Sequence, residues 1–253
     1  MKKVTLSAKI LAAATLGFGI FTLAPAANAT SLVPTTEGEI ALINNDNKCL
    51  SNAANCIKTA PLGYSVKSIS YDLNYKASLL FVDNSATENS YSKDTFGITF
   101  LKIDEGTTSE AGQNWFRGVA LDKKGNPLEN GRLEVGVFEF VFNNVVNGLK
   151  LNFFDVEDGG YSGLLEVNGK EFKTLLPGGP DKNIQTLPIL NNVTSFKVKL
   201  GEPKTTTFRN TGDGVLLQAS VPEPGNVVSL GVLAVAGIFG VRKGKKAQAS
   251  QAN

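Results

Sequence analysis

Asp155, Glu157 and Asp158 close an apolar-alternating run and are followed by Gly159 and Gly160, which let the chain turn sharply. Carboxylate oxygens gathered at such a turn, with Asp213 supplied from another loop, are the hard ligands that calcium takes. The spacing matches neither an EF-hand nor a nonapeptide repeat. Acidic turn residues more commonly stay solvated or cap nearby N–H groups. A structural calcium is therefore the one cofactor the chain offers, and otherwise none is expected. The same acids could serve as a glycosidase pair, which needs two carboxylates about 5–9 Å apart. No aromatic-rich subsite surrounds them, so catalysis ranks last and the chain is expected not to be an enzyme.

Other chemistry is excluded by composition. There is no histidine among the 253 residues, so no Ser-His-Asp or Cys-His system and no His-ligated zinc can be built. Cys49 and Cys56 alone cannot make a four-thiolate site. No GxGxxG or Walker pattern occurs. The single tryptophan, Trp115, opens an apolar run. It is expected in the core rather than stacked on a sugar. Tyr64, Tyr71, Tyr75, Tyr91 and Tyr161 are too scattered in sequence to define a binding face.

Both ends carry address patterns. Lys2, Lys3 and Lys9 precede the uncharged run Ile10 to Leu23, and Ala27-Asn28-Ala29 places small residues where a signal peptidase reads. Residues 1–29 are expected to be a signal peptide that engages the Sec translocon, with cleavage between Ala29 and Thr30; a short membrane anchor is the alternative. Near the other end, Pro222-Glu223-Pro224 leads into an uncharged run, Val227 to Val241, closed by Arg242, Lys243, Lys245 and Lys246. As a helix this run covers about 22 Å, short of a hydrocarbon core of about 30 Å, so it needs bilayer thinning or snorkelling cations. The cations belong on the cytoplasmic side. Residues 227–241 thus read as a stop-transfer span with 247–253 as a cytoplasmic tail. The tails hold seven of the 25 Lys/Arg and one of the 23 Asp/Glu, so the part between them is net acidic. Nothing there invites nucleic acid. Export also makes a Cys49–Cys56 disulfide the expected state, with two free thiols as the alternative.

Between the tails the chain reads as all-β. Phe196, Val198 and Leu200 alternate with Lys197 and Lys199; Leu149, Leu151 and Phe153 alternate with Lys150 and Asn152; Phe96, Ile98 and Phe100 repeat the period. Leu133 to Phe142 is apolar on both faces in its second half, which suits a central strand. Further strands are expected at 67–73, 79–82, 115–121, 163–167, 171–175 and 215–218. Asn168-Gly169 between two such runs is the strongest hairpin signal. About nine to eleven short strands with this spacing point to an antiparallel, jelly-roll-like β-sandwich over 65–220. Residues 30–64, rich in Asn and Thr, read as a polar lead-in, loop-like or partly detached.

The tripartite tail, Val221 to Lys246, resembles the PEP-CTERM sorting signal. That resemblance implies recognition by an exosortase, a membrane-embedded cysteine transpeptidase, which cuts at or near the Pro-Glu-Pro and releases or re-anchors the protein. Arg132-Leu133-Glu134-Val135-Gly136-Val137-Phe138 carries the signature of the LEVG subfamily. Phe154-Asp155-Val156-Glu157 and the stretch Thr211 to Gln218 are similar to elements that recur in such domains. The resemblance implies location rather than chemistry. It predicts an exported cell-surface or extracellular-matrix protein, anchored in the inner membrane until it is processed. A carbohydrate-binding module, calcium-dependent or not, is the second expectation, with extracellular polysaccharide as partner. An envelope glycoside hydrolase is the third.

Overall fold

The computed structural model describes residues 29–43, 49, 56–84, 86–93, 96–102, 112–202 and 214–222. Its strands are β1 (Ala29–Ser31), β2 (Gly38–Glu39), β3 (Tyr64–Ile69), β4 (Tyr75–Asn84), β5 (Asn89–Lys93), β6 (Phe96–Phe100) and β7 (Asn114–Asp122). They continue as β8 (Gly136–Val146), β9 (Lys150–Phe154), β10 (Gly163–Val167), β11 (Lys170–Leu175), β12 (Ile184–Thr186), β13 (Val193–Leu200) and β14 (Leu216–Pro222). The fold is all-β and its sheets are antiparallel. One sheet runs β12-β9-β14-β7-β4-β2, with β1 also on β14; the other runs β11-β10-β13-β8-β3.

Period-two patterning explains how the sheets meet. Tyr64, Val66, Phe138, Phe140, Phe142, Phe196 and Val198 from the second sheet share one apolar cluster with Leu80, Val82, Phe116, Leu151, Phe153 and Leu217 from the first. Phe140 stacks on Phe196 at 4.7 Å between ring centroids, and Phe116 reaches Phe140 across the gap at 5.2 Å. Among the sequence expectations, 163–167 matches β10 residue for residue, and Asn168-Gly169 turns it into β11 with Val167 opposite Lys170. Both turn residues have positive φ, 54° and 70°, as a type I′ turn requires. A Cβ on Gly169 would meet nothing within 4 Å. Gly169→Ala is therefore expected to cost only the left-handed backbone penalty, about 1–2 kcal/mol, read from the urea midpoint.

Two expectations need correction. Leu133 to Phe142 does supply a central strand, β8 between β13 and β3, but its two faces are not both apolar. The strand starts at Gly136, and its outer face carries Glu139, in register with Lys197 on β13 and Lys67 on β3, while Lys197 also faces Glu166 on β10. Lys197 Nζ lies 2.5 Å from Glu166. This row of alternating charge needs water, so Val141 beside it stays 37% exposed. Residues 30–64 are also no detached lead-in. Leu32, Val33, Ile40 and Leu42 are buried in the main cluster. β1 pairs with β14, β2 pairs with β4, and the Tyr64 hydroxyl donates to Leu32 O at 2.5 Å. The described fold accordingly includes β1 and does not start at residue 65. Its polar composition hid four apolar residues that each fill a core position.

The outer face of the first sheet is covered too. β5 and β6 form a hairpin whose Tyr91, Ile98 and Phe100 pack on Leu79, Phe81, Val119 and Leu121. Phe81 lies 5.0 Å from Tyr91 and 5.2 Å from Phe100, so the three rings form one contact. Strand β7 is buried on both faces, through this hairpin at Val119 and Leu121 and through Phe154 and Leu216 at Trp115.

Candidate functional site

The acidic turn is built where two loops cross. Asp155 follows β9 in a left-handed conformation, φ 63°, and its Oδ1 accepts from Lys182 N at 2.7 Å. Its own N–H donates to Asn183 O at 2.8 Å, and Asn183 Nδ2 donates back to Val156 O at 2.9 Å. Single carboxylate oxygens of Asp155, Glu157 and Asp181 lie within 4.8 Å of one another. Asp181 was not among the expected ligands. Asp158 instead lies on the side of Glu202, whose carboxyl it helps to raise, and Asp213 lies outside the described residues.

Tying the two loops together accounts for Asp155 without a metal. Asp155→Asn keeps the acceptor, suits the left-handed backbone and removes one of three like charges. Its stability in urea is expected to equal or exceed that of the parent chain, whereas Asp155→Ala should lose about 1–2 kcal/mol. A melting temperature that rises with millimolar calcium, and no longer does so in Asp155→Asn, is the result that would make the trio a metal site.

Three of the scattered tyrosines meet at one end of the second sheet. Ile69, Val137, Lys199 and Gly163 are successive cross-strand neighbours. Tyr71 and Tyr161 lie two residues beyond Ile69 and two before Gly163, so the register brings both to Lys199. Its Nζ sits 4.6 Å from the Tyr71 ring centroid and 5.5 Å from that of Tyr161. Tyr75 touches Tyr71 edge-on at 6.4 Å, and the Tyr71 hydroxyl donates to Gly201 O at 3.3 Å. Partial burial lowers the Lys199 ammonium below the usual lysine range and raises the Tyr71 phenol. Burial, then the Asp158 charge, raises the Glu202 carboxyl. The ammonium over the two rings makes this a cation–π clasp rather than an open stacking platform.

Sequence reasoning passed over Arg117, the one charged residue in the interior of β7. It is fully buried, donates to Asp83 Oδ2 at 2.8 Å and to Glu134 Oε1, and lies 4.2 Å from the Phe100 ring centroid. Glu134 is the acid of the Leu-Glu-Val-Gly run, and Leu133 and Val135 on either side of it pack on Ala120. Burial raises the Asp83 carboxyl even against the pull of Arg117. Trp115, two residues earlier, is buried against Phe154 at 5.4 Å and cannot reach a sugar. The triad therefore joins β4, β7 and the segment before β8 from within.

The first and last described strands meet. Ala29 is paired with Pro222, Thr30 with Val221 and Ser31 with Ser220. The expected signal-peptidase bond thus lies directly across from the first residue of the Pro-Glu-Pro. Ala27, Glu223, Pro224, Arg242, Lys243, Lys245 and Lys246 lie outside the described residues, as does the span expected at 227–241. Among the described residues no helix is long and apolar enough to cross a membrane. A disulfide joins Cys49 and Cys56, whose Cα atoms are 5.4 Å apart, in the usual range for a bridge. Removing it by Cys49→Ser with Cys56→Ser is expected to cost about 2–3 kcal/mol on the loop-entropy model, measured by urea melts against the oxidised parent. Comparison of the chain with protein-family models, curated proteins and solved structures gives no match.

Proposed function

We propose that this protein is an exported component of the cell surface or extracellular matrix whose folded part is a non-catalytic β-sandwich. Residues 1–29 send it through the Sec translocon and are removed by signal peptidase. Residues 227–241 then hold it in the inner membrane until an exosortase acts at Pro222-Glu223-Pro224. One observation carries this reading: the antiparallel pairing of Thr30 with Val221 and Ser31 with Ser220, which remains after Ala29 has been removed. Antiparallel strands enter and leave at the same end, so the chain enters β1 and leaves β14 at one end of one sheet. A domain held to a bilayer by both ends needs that arrangement, and after the first cleavage it still leaves the second site at the membrane surface.

The sandwich reading is supported by two sheets facing across one apolar cluster. The jelly-roll likeness is supported by the chain passing repeatedly between them: β3 is in the second, β4 and β7 in the first, β8 in the second, β9 in the first.

The test is a triple substitution, Pro222→Ala, Glu223→Ala and Pro224→Ala, expressed in the producing organism. Processing should stop and the chain should stay in the membrane fraction. Release at the rate of the unsubstituted protein would contradict the assignment.

A further inference from the structure

We infer that the notch where β14 passes from β7 to β1 is a binding site for an uncharged polysaccharide. β14 pairs with β7 only at Leu216 and Leu217, and the same edge is taken up by β1 at Ser220. Gln218 faces the gap between the two partners. The resulting groove has a volume of about 510 Å³, within the range of small-ligand sites, roughly 300–1,000 Å³.

Its chemistry is narrow. Asn84, Gln113, Asn114 and Gln218 supply carboxamides, and Ser31 and Thr35 supply hydroxyls. None of the described residues that line it is ionisable. A phosphate, a carboxylate or a metal ion would find no opposite charge there, whereas a ligand made of hydroxyl groups would find both donors and acceptors. Val33 and Pro34, both largely buried, are the apolar residues of its wall besides alanine.

The amides are held in place. Asn84 Nδ2 donates to Asn114 Oδ1 at 2.7 Å, while Asn84 Oδ1 accepts from Ala86 N at 2.9 Å. Asn114 Nδ2 donates to Pro34 O at 2.9 Å, and Gln218 Nε2 to Gln113 Oε1 at 2.9 Å. A carboxamide has two N–H groups and two lone pairs. Asn84 and Asn114 each use one N–H to fix their orientation, and each amide carries a second. Fixed amides lose little entropy on binding, which is what a weakly held, flexible glycan chain needs from its site. An extended peptide fits less well. β14 is already hydrogen-bonded along both edges, by β9 on one side and by β7 and β1 on the other, so it offers no edge for an added strand.

The inference does not depend on how the C-terminal segment is processed. It is tested on the full chain in detergent, by affinity electrophoresis through gels containing an uncharged glucan, an uncharged galactomannan or the polyanion polygalacturonate. At least one neutral gel should retard the protein, and the polyanion should not. Thr35→Trp fills the groove from an exposed rim position, and Gln218→Leu removes an amide at similar size. Each should weaken retardation about tenfold, the equivalent of one or two hydrogen bonds, with an unchanged melting temperature. No retardation by either neutral polymer, equal retardation by polygalacturonate, or full retardation of Thr35→Trp would each overturn the site.

Discussion

Arg117→Ala is expected to lower the stability of the folded part by about 3–5 kcal/mol, because it strands two buried carboxylates. Asp83 and Glu134 both lie within the molecule, and the guanidinium is their shared partner. Removing the cation deletes the ion pair that each acid makes with it, so each must stay charged at a buried position without that pair or take up a proton. The Phe100 ring also loses the cation on its face. For a domain of this size the melting temperature should fall by roughly 6–20 °C. The companion experiment replaces all three members with apolar residues, Asp83→Leu, Arg117→Met and Glu134→Leu. That chain should recover most of the loss, since an apolar core of similar volume has no desolvation to overcome. A single Arg117→Ala variant that melts within 2 °C of the parent, on the order of 1 kcal/mol or less, would show that the triad is solvated and the covering hairpin loose.

Ending the chain after Val215 is expected to abolish folding, while ending it after Pro222 leaves the melting temperature where it was. The seven residues between are β14, which is hydrogen-bonded to β9 on one side and to β7 and β1 on the other. Leu216, Leu217 and Ala219 are buried. Two leucines contribute about 1.5–3 kcal/mol each through burial alone. The unpaired strands on both sides add exposed backbone to that loss. Val227 to Val241 is expected to be a membrane anchor and not core, so trimming beyond Pro222 should stay within about 0.5 kcal/mol, the ordinary range of a surface change. Circular dichroism melts of the two truncations against the full chain, in one detergent, decide it. A folded 1–215 chain would mean that β14 is an accessory strand, and the Ala29–Pro222 seam would lose its meaning for sorting.

The strands were legible where alternation was local. Phe196, Val198 and Leu200 point inward and Lys197 and Lys199 outward because a pleated strand has no other way to sort them. Asn168-Gly169 fixed a hairpin because few other residue pairs tolerate two positive φ angles. What escaped was long-range. Leu32, Val33, Ile40 and Leu42 sit among polar neighbours, and β1 finds its partner at the far end of the chain. Arg117 carried no local signal of its role, since its partners lie 34 and 17 residues away. The three tyrosines around Lys199 and the amides of the groove come together only through cross-strand register. A single sequence carries no signal of register beyond the period itself. The acidic turn was half legible: Asp155 and Glu157 belong to one loop, but Asp181 joins them from another, and Asp158 is not one of the trio.

Sorting at the C-terminus rests on the claim that the chain beyond the folded part is an address and not part of the finished molecule. The mass of the protein recovered from outside the producing cells measures this directly. The account predicts a chain that starts at Thr30 and ends at or near Pro222-Glu223-Pro224, without the apolar run from Val227 and the basic cluster after it. A secreted chain whose mass extends to Asn253 would contradict it.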